Sequence, residues 1–169
     1  HYLRKGLKLF TFLYLETDPL LAARLIEQET TALAFETVEE KGIFPILSPM
    51  SEIAGKMAVQ IGAHYLEESQ GGAGIVLGGV TGTDKGTVTI IGGGNAGSSA
   101  AKAAIGLGAQ VTVFDVNLMR LKELEERFDG RIQTRLSQTY AIKEAVVQSD
   151  VVIGAVRVPE TRTPIVVTK

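Results

Sequence analysis

Residues 87–117 read TVTIIGGGNAGSSAAKAAIGLGAQVTVFDVN. An apolar run, a glycine cluster, a small-residue stretch, a second apolar run and an acid come in that order. The first run, Thr87–Ile91, is rich in β-branched residues and predicts a buried strand. Asn95 to Leu107 predicts a helix, and Gln110 to Asp115 a second strand. Between strand and helix, Gly92-Gly93-Gly94-Asn95-Ala96-Gly97 fits G-x-G-x-x-G. The motif is weak by itself and gains weight from a strand before it and a helix after it. Gly92 permits the tight turn, Gly94 lets backbone amides approach a pyrophosphate, and Gly97 lets helix and strand pack closely. The helix N-terminus would offer unpaired N–H groups and a positive dipole end to the phosphates. Ala100, Ala101, Ala103 and Ala104 keep the helix slim.

Asp115 closes the second strand 18 residues after Gly97, where a carboxylate would accept hydrogen bonds from ribose hydroxyls. It would repel a 2′-phosphate, so NAD is expected rather than NADP. Arg120 counts somewhat against that preference, because a guanidinium nearby can bind a phosphate.

Outward from this stretch the alternation continues. A helix is expected over Leu118–Phe128, a strand over Ile132–Arg135, a helix over Thr139–Gln148 and a strand over Asp150–Val156. Alternating strands and helices imply a parallel sheet with right-handed crossovers. Residues 87–169 are therefore expected to form part of a Rossmann-type, doubly wound parallel α/β sheet. That sheet is expected to be incomplete, because Pro159 and Pro164 interrupt the stretch after Val156.

Upstream, Leu7–Leu15 and Thr31–Val38 predict two strands. Asp18-Pro19 between them reads as an N-cap with proline at the first helical position. This strand–helix–strand unit, residues 1–47, is expected to be a piece of a larger α/β substrate domain, since two strands alone cannot bury both faces. Residues 48–86 read as a linker helix and a glycine-rich connection. In the helix, Met50, Ile53, Ala54, Met57, Ala58, Ile61 and Tyr65 share one face, which is expected to pack in the core. His64, beside that face, is read as a structural or surface histidine.

Composition narrows the classes. The chain has 169 residues, 45% hydrophobic and 21% charged, with a net charge of -2 and no cysteine. Nothing reads as a nucleic-acid or membrane surface, and no disulfide or cysteine metal site can form. No apolar run is long enough to span a bilayer. A cytoplasmic protein is the expectation. The chain opens on His1 and leads straight into a strand pattern, as the middle of a longer enzyme would.

Several stretches together carry a family resemblance. They are Phe10-Thr11-Phe12-Leu13, Ala34-Phe35-Glu36-Thr37-Val38, Pro49-Met50-Ser51-Glu52-Ile53-Ala54-Gly55, Gln70-Gly71-Gly72, Gly78-Gly79-Val80, the Gly92–Gly97 loop, Asp115-Val116-Asn117 and Val152-Ile153-Gly154-Ala155-Val156. The chain resembles the alanine dehydrogenase family, shared with the NAD-binding part of proton-translocating transhydrogenase, over essentially its whole length. The resemblance implies reversible oxidative deamination of L-alanine to pyruvate and ammonia with NAD as hydride acceptor, and a homo-oligomer. It implies cofactor contacts from Ser51, Gly92, Gly94, Asn95, Ala96, Gly97, Asp115, Arg120, Ser137, Val156 and Arg157. Tyr14 stands where the family has a catalytic histidine. A phenol gives up its proton far above neutral pH and does not readily replace imidazole as a proton shuttle. Tyr14 is read either as a strand aromatic that packs or as a replacement in the site. The family's substrate-binding arginine and lysine, and its catalytic aspartate, fall outside the chain. An enzyme piece inactive by itself, one partner of a split enzyme, a non-catalytic NAD-binding or assembly module, and a transhydrogenase component all remain open on the sequence.

Overall fold

The computed structural model describes residues 2–157 and 165–167. These fall into two compact units, one running up to Met50 and the other from Ser51 onward.

The first unit holds a short parallel pair, β1 (Lys8–Thr11) and β2 (Thr31–Ala34), joined by α1 (Pro19–Glu27). The Asp18 carboxylate caps α1 by accepting the Leu21 N–H at 2.9 Å, and Pro19 opens the helix, as its fixed φ favours. Both strands are shorter than the apolar runs predict. β1 stops at Thr11 rather than Leu15, and β2 stops at Ala34 rather than Val38. Phe35–Thr37 instead makes one 3-10 turn. Tyr14 has φ +46, a left-handed backbone that ends an extended strand.

The second unit is built on a four-stranded parallel sheet of order β5-β4-β3-β6, with β3 (Thr87–Ile91), β4 (Gln110–Asp115), β5 (Gln133–Leu136) and β6 (Val151–Gly154). Three helices connect them: α3 (Asn95–Gly106), α4 (Leu118–Arg127) and α5 (Thr139–Val147). Helices α3, α4 and α5 lie within two residues of their expected limits, and so do β3, β4 and β5. β6 covers only the centre of the Asp150–Val156 run. The sheet is wound on both faces. Val88, Ile90, Val111 and Val113 pack with Ala100, Ala101 and Ala104 of α3 and Leu124 of α4. Ile91 and Phe114 pack with Ala141, Ile142 and Ala145 of α5. Successive residues Ile90 and Ile91 thus serve opposite cores, as the period of two requires. A strand buried on both sides reads as an unbroken apolar run.

α2 (Ser48–Tyr65) corrects the sequence reading. Its buried residues are Gly55 and Val59, and the expected core face is exposed, with Met57 at 50% and Met50, Ile53, Ile61 and Tyr65 also open. The reason is distance of approach. A Cβ at Gly55 would strike the Ala96 carbonyl and lie 2.9 Å from the Ala100 amide nitrogen, and one at Gly62 would lie 2.8 Å from Val151 Cγ1. Glycines bring α2 so close to α3 and β6 that the small face, not the large apolar one, turns inward. His64 is exposed and contacts the Glu67 carboxylate at 3.3 Å, in keeping with a surface histidine.

Candidate functional site

The glycine loop leaves the carboxyl end of β3, which pairs with β4 on one side and β6 on the other, at the point where strand order reverses. Crevices at such switch points are where open α/β sheets bind ligands. Gly92 has φ +104, and a Cβ there would lie 2.6 Å from the Ala155 carbonyl and 2.9 Å from the Val156 amide nitrogen. Only glycine lets the turn pass so near the chain leaving β6. Gly97 is as tightly placed, since a side chain would run into the Gly92 carbonyl. Gly94 differs from both. Among the described residues, a Cβ there would meet nothing within 4 Å. Gly94 is also the residue before α3, and as a glycine it has no side chain with which to cap that helix. The backbone N–H groups in the first turn of a helix, here α3, are the kind of donor that suits an external anion.

The acid is fixed as firmly as the loop. Asp115 Oδ2 accepts the Gly93 N–H at 2.7 Å and Oδ1 accepts the Asn117 N–H at 2.9 Å. One bond per oxygen leaves further lone pairs on each, and the residue is half-buried rather than closed off. The Ser137 N–H donates to the Asp115 backbone carbonyl at 2.9 Å, which places Ser137 beside the acid at the end of β5. Asn117 caps α4, its Oδ1 accepting from Met119 and Arg120 amides. Arg120 turns back on the loop, donating from Nε to the Gly93 carbonyl at 2.7 Å and from Nη1 to Glu123 at 3.1 Å. Two of its donors thus brace the protein, so the guanidinium is less available to a phosphate than its sequence position implies.

Gly92, Gly94, Asn95, Ala96, Gly97, Asp115, Arg120, Ser137 and Val156 are thus gathered at one sheet edge. Arg157 comes directly after Val156 and is exposed. Ser51 lies one helical turn before Gly55, which abuts the Ala96 carbonyl, so it shares the helix face turned to the start of α3.

A second constellation lies at the carboxyl ends of β1 and β2. Glu36 is 3% exposed. Its carboxylate accepts the Leu13 N–H at 3.2 Å and the Tyr14 N–H at 2.5 Å. Sequence reading did not single out Glu36 as a site residue. The available signal was an acid inside the apolar stretch Ala34-Phe35-Glu36-Thr37-Val38. Tyr14 keeps 36% of its surface exposed and stacks on Phe12 at 6.0 Å between ring centroids.

The sheet order, the glycine loop and the acid after the second strand define a Rossmann-type dinucleotide-binding protein. Comparison makes the assignment particular. The family model described as alanine dehydrogenase/PNT, C-terminal domain, matches residues 58–169, and the chain belongs to that family. It is 50% identical to the alanine dehydrogenase of Staphylococcus saprophyticus, covering 99% of this chain and 46% of that protein. Against the alanine dehydrogenase of Bacillus subtilis the identity is also 50%, over 99% of this chain and 44% of the relative. The chain therefore spans about half the length of these relatives. A solved L-alanine dehydrogenase superposes with a TM-score of 0.88 at 48% identity, over 98% of this chain and 46% of the other. A transhydrogenase from Sinorhizobium meliloti shares the fold, with a TM-score of 0.73 at 20% identity. The cofactor that this fold and family support is NAD. No helix among the described residues is long and apolar enough to cross a membrane.

Proposed function

We propose that this chain is the cofactor-holding part of an NAD-dependent alanine dehydrogenase, which oxidises L-alanine with water to pyruvate, ammonia and NADH. The observation that carries the reading is the space beside Gly94 at the start of α3, with a prearranged Asp115 at the neighbouring strand end. Asn95 and Ala96 would bind the pyrophosphate through backbone N–H groups. Asp115 would accept from the adenosine ribose hydroxyls, already aligned by its bonds to Gly93 and Asn117. Ser137 would lie by the adenine, and Ser51, Val156 and Arg157 would border the rest of the cofactor. Arg120 acts here by bracing Gly93. NAD, once bound, supplies the hydride acceptor; this chain's residues hold and orient it.

Identity near 50% to alanine dehydrogenases, against 20% to the transhydrogenase, favours the dehydrogenase. The amino-acid substrate, a homo-oligomeric assembly and a cytoplasmic location belong to the same proposal. The exposed Ile53, Met57, Ile61 and Tyr65 of α2 give self-association an apolar surface. The proposal keeps three parts of the chain: residues 1–47 from the substrate domain, 48–86 linking, and 87–169 binding NAD.

The test is a titration with NADH, read by the cofactor's own fluorescence, since the protein has no tryptophan. Saturable binding is expected, weakened about tenfold or more by Asp115→Ala, with NADPH poor. Absence of binding, or equal binding of NADPH, overturns the reading. By itself the chain should bind NADH without turning over alanine; alanine-dependent NADH formation would contradict that part.

A further inference from the structure

We infer that Glu36 is a positioning residue, whose buried carboxylate clamps the Leu13–Tyr14 turn and so presents the Tyr14 phenol at a substrate-facing edge of the first unit. The inference rests on the proposed alanine dehydrogenase reading for the substrate, a small 2-amino or 2-oxo acid. It rests on geometry for the clamp.

Three observations meet at this point. A carboxylate is costly to bury unless hydrogen bonds replace its water. Glu36, 3% exposed, receives them from two successive backbone amides rather than from surface solvent. The second amide belongs to Tyr14, whose φ of +46 lies in a region that aromatic side chains rarely adopt. Strain of this kind persists only where the surroundings impose it, and it concentrates at functional sites. Thirdly, the turn lies just beyond the carboxyl ends of two parallel strands, the edge at which α/β sheets take ligands.

The parts fit one task. β2 ends at Ala34, and the 3-10 turn Phe35–Thr37 carries Glu36 inward. Phe35 packs edge-on against Phe10 at 4.3 Å and Phe12 at 5.2 Å between ring centroids, which fixes the turn that carries the acid. The Tyr14 carbonyl accepts from the Thr17 N–H and the Thr17 hydroxyl, both at 2.8 Å, so the turn is held from both sides. The ring stacks on Phe12 and remains partly open. A phenol so held can donate a hydrogen bond to the carbonyl or carboxylate oxygen of a small acid.

Two measurements decide it. In the isotopically labelled chain, the Tyr14 and Leu13 amide protons should lie downfield and exchange slowly with solvent. Glu36→Gln, which removes the charge and one acceptor, should move both upfield and speed their exchange, with the Gly92–Gly97 resonances unmoved. Unchanged Leu13 and Tyr14 amides overturn the clamp. In the protein expressed from its complete reading frame, alanine oxidation is compared for Glu36→Gln, Tyr14→Phe and the double variant. Each single change should lower kcat about tenfold or more. The double variant should be no slower than either single one, with NADH affinity unchanged throughout. Losses that multiply, or a Glu36→Gln enzyme at full speed, overturn the positioning role. Tyr14→Asn, whose backbone tolerates the left-handed region, guards against a folding artefact; it should fold normally and lose turnover as Tyr14→Phe does. Should the parental enzyme not oxidise alanine, the substrate reading fails alone, and the amide shifts still decide the clamp.

Discussion

The two units end their parallel strands in opposite ways. After β3 the chain turns through Gly92 at φ +104, and the absence of side chains lets backbone come close to backbone. After β1 it turns through Tyr14 at φ +46, and a buried carboxylate holds a bulky residue in a conformation it would otherwise avoid. The first device leaves space and offers main-chain N–H groups. The second fills space and offers a side chain. A loop made to receive phosphates needs the former; a turn made to display a phenol needs the latter. In both, a carboxylate bonded to backbone amides fixes the geometry: Asp115 on Gly93 and Asn117, and Glu36 on Leu13 and Tyr14.

The comparison breaks most severely at Gly97. A side chain there meets the Gly92 carbonyl, and backbone cannot step aside as a side-chain tip can. Gly97→Val should destabilise the second unit by about 3 kcal/mol or more and abolish NADH binding. Urea unfolding with circular dichroism detection measures the first effect, and NADH fluorescence titration the second. Gly94→Ala is the sharpening control. Its Cβ meets none of the described residues within 4 Å, so stability should change by no more than about 1 kcal/mol while NADH affinity falls. Equal losses of stability at the two positions would remove the distinction between a glycine for packing and a glycine for a ligand.

Gly55→Ala should come next, at about 2 kcal/mol, because its methyl would strike the Ala96 carbonyl and separate α2 from α3. NADH affinity should fall along with stability, since the same contact sets the start of α3 and the placement of Ser51. Smaller still is Asn117→Ala. It removes the cap of α4 and should cost about 1 kcal/mol. Asp115 is next but one in the chain and bonds the Asn117 amide, so a modest loss of NADH affinity should accompany it.

The legibility of each feature in the sequence depends on how local its determinants are. Thr87 to Asp115 was legible because its cues are local: a two-sided strand is an unbroken apolar run, a tight turn requires glycine, and the acid sits at a fixed interval. Arg120 was legible as a neighbour of the site but not as a brace, because its bond to Gly93 depends on the exit direction of α4. The Glu36 clamp depends on a partner 22 to 23 residues away, which no periodicity reports. The end of β1 is overextended for the same reason, because apolar residues continue while Glu36 takes the Leu13 and Tyr14 N–H groups; β2 stops where Phe35–Thr37 turns locally.

α2 shows where periodicity misleads. Its large apolar residues and its glycines lie on different faces, and hydrophobicity alone selects the first. Packing selected the second, because helices approach closest where side chains are smallest. The smallest expected effect lies on the exposed face. Met57→Gln should change the unfolding free energy of the chain by less than about 0.5 kcal/mol, since half of Met57 already meets water. Val59→Ala, two residues away and 0% exposed, should cost about 2 kcal/mol. If copies of the chain associate through the apolar face, Met57→Gln should lower the sedimentation coefficient at high concentration, and Val59→Ala should not. A substantial stability loss from Met57→Gln in the dilute chain would mean that this face is covered from within, and the sequence reading of α2 would be restored.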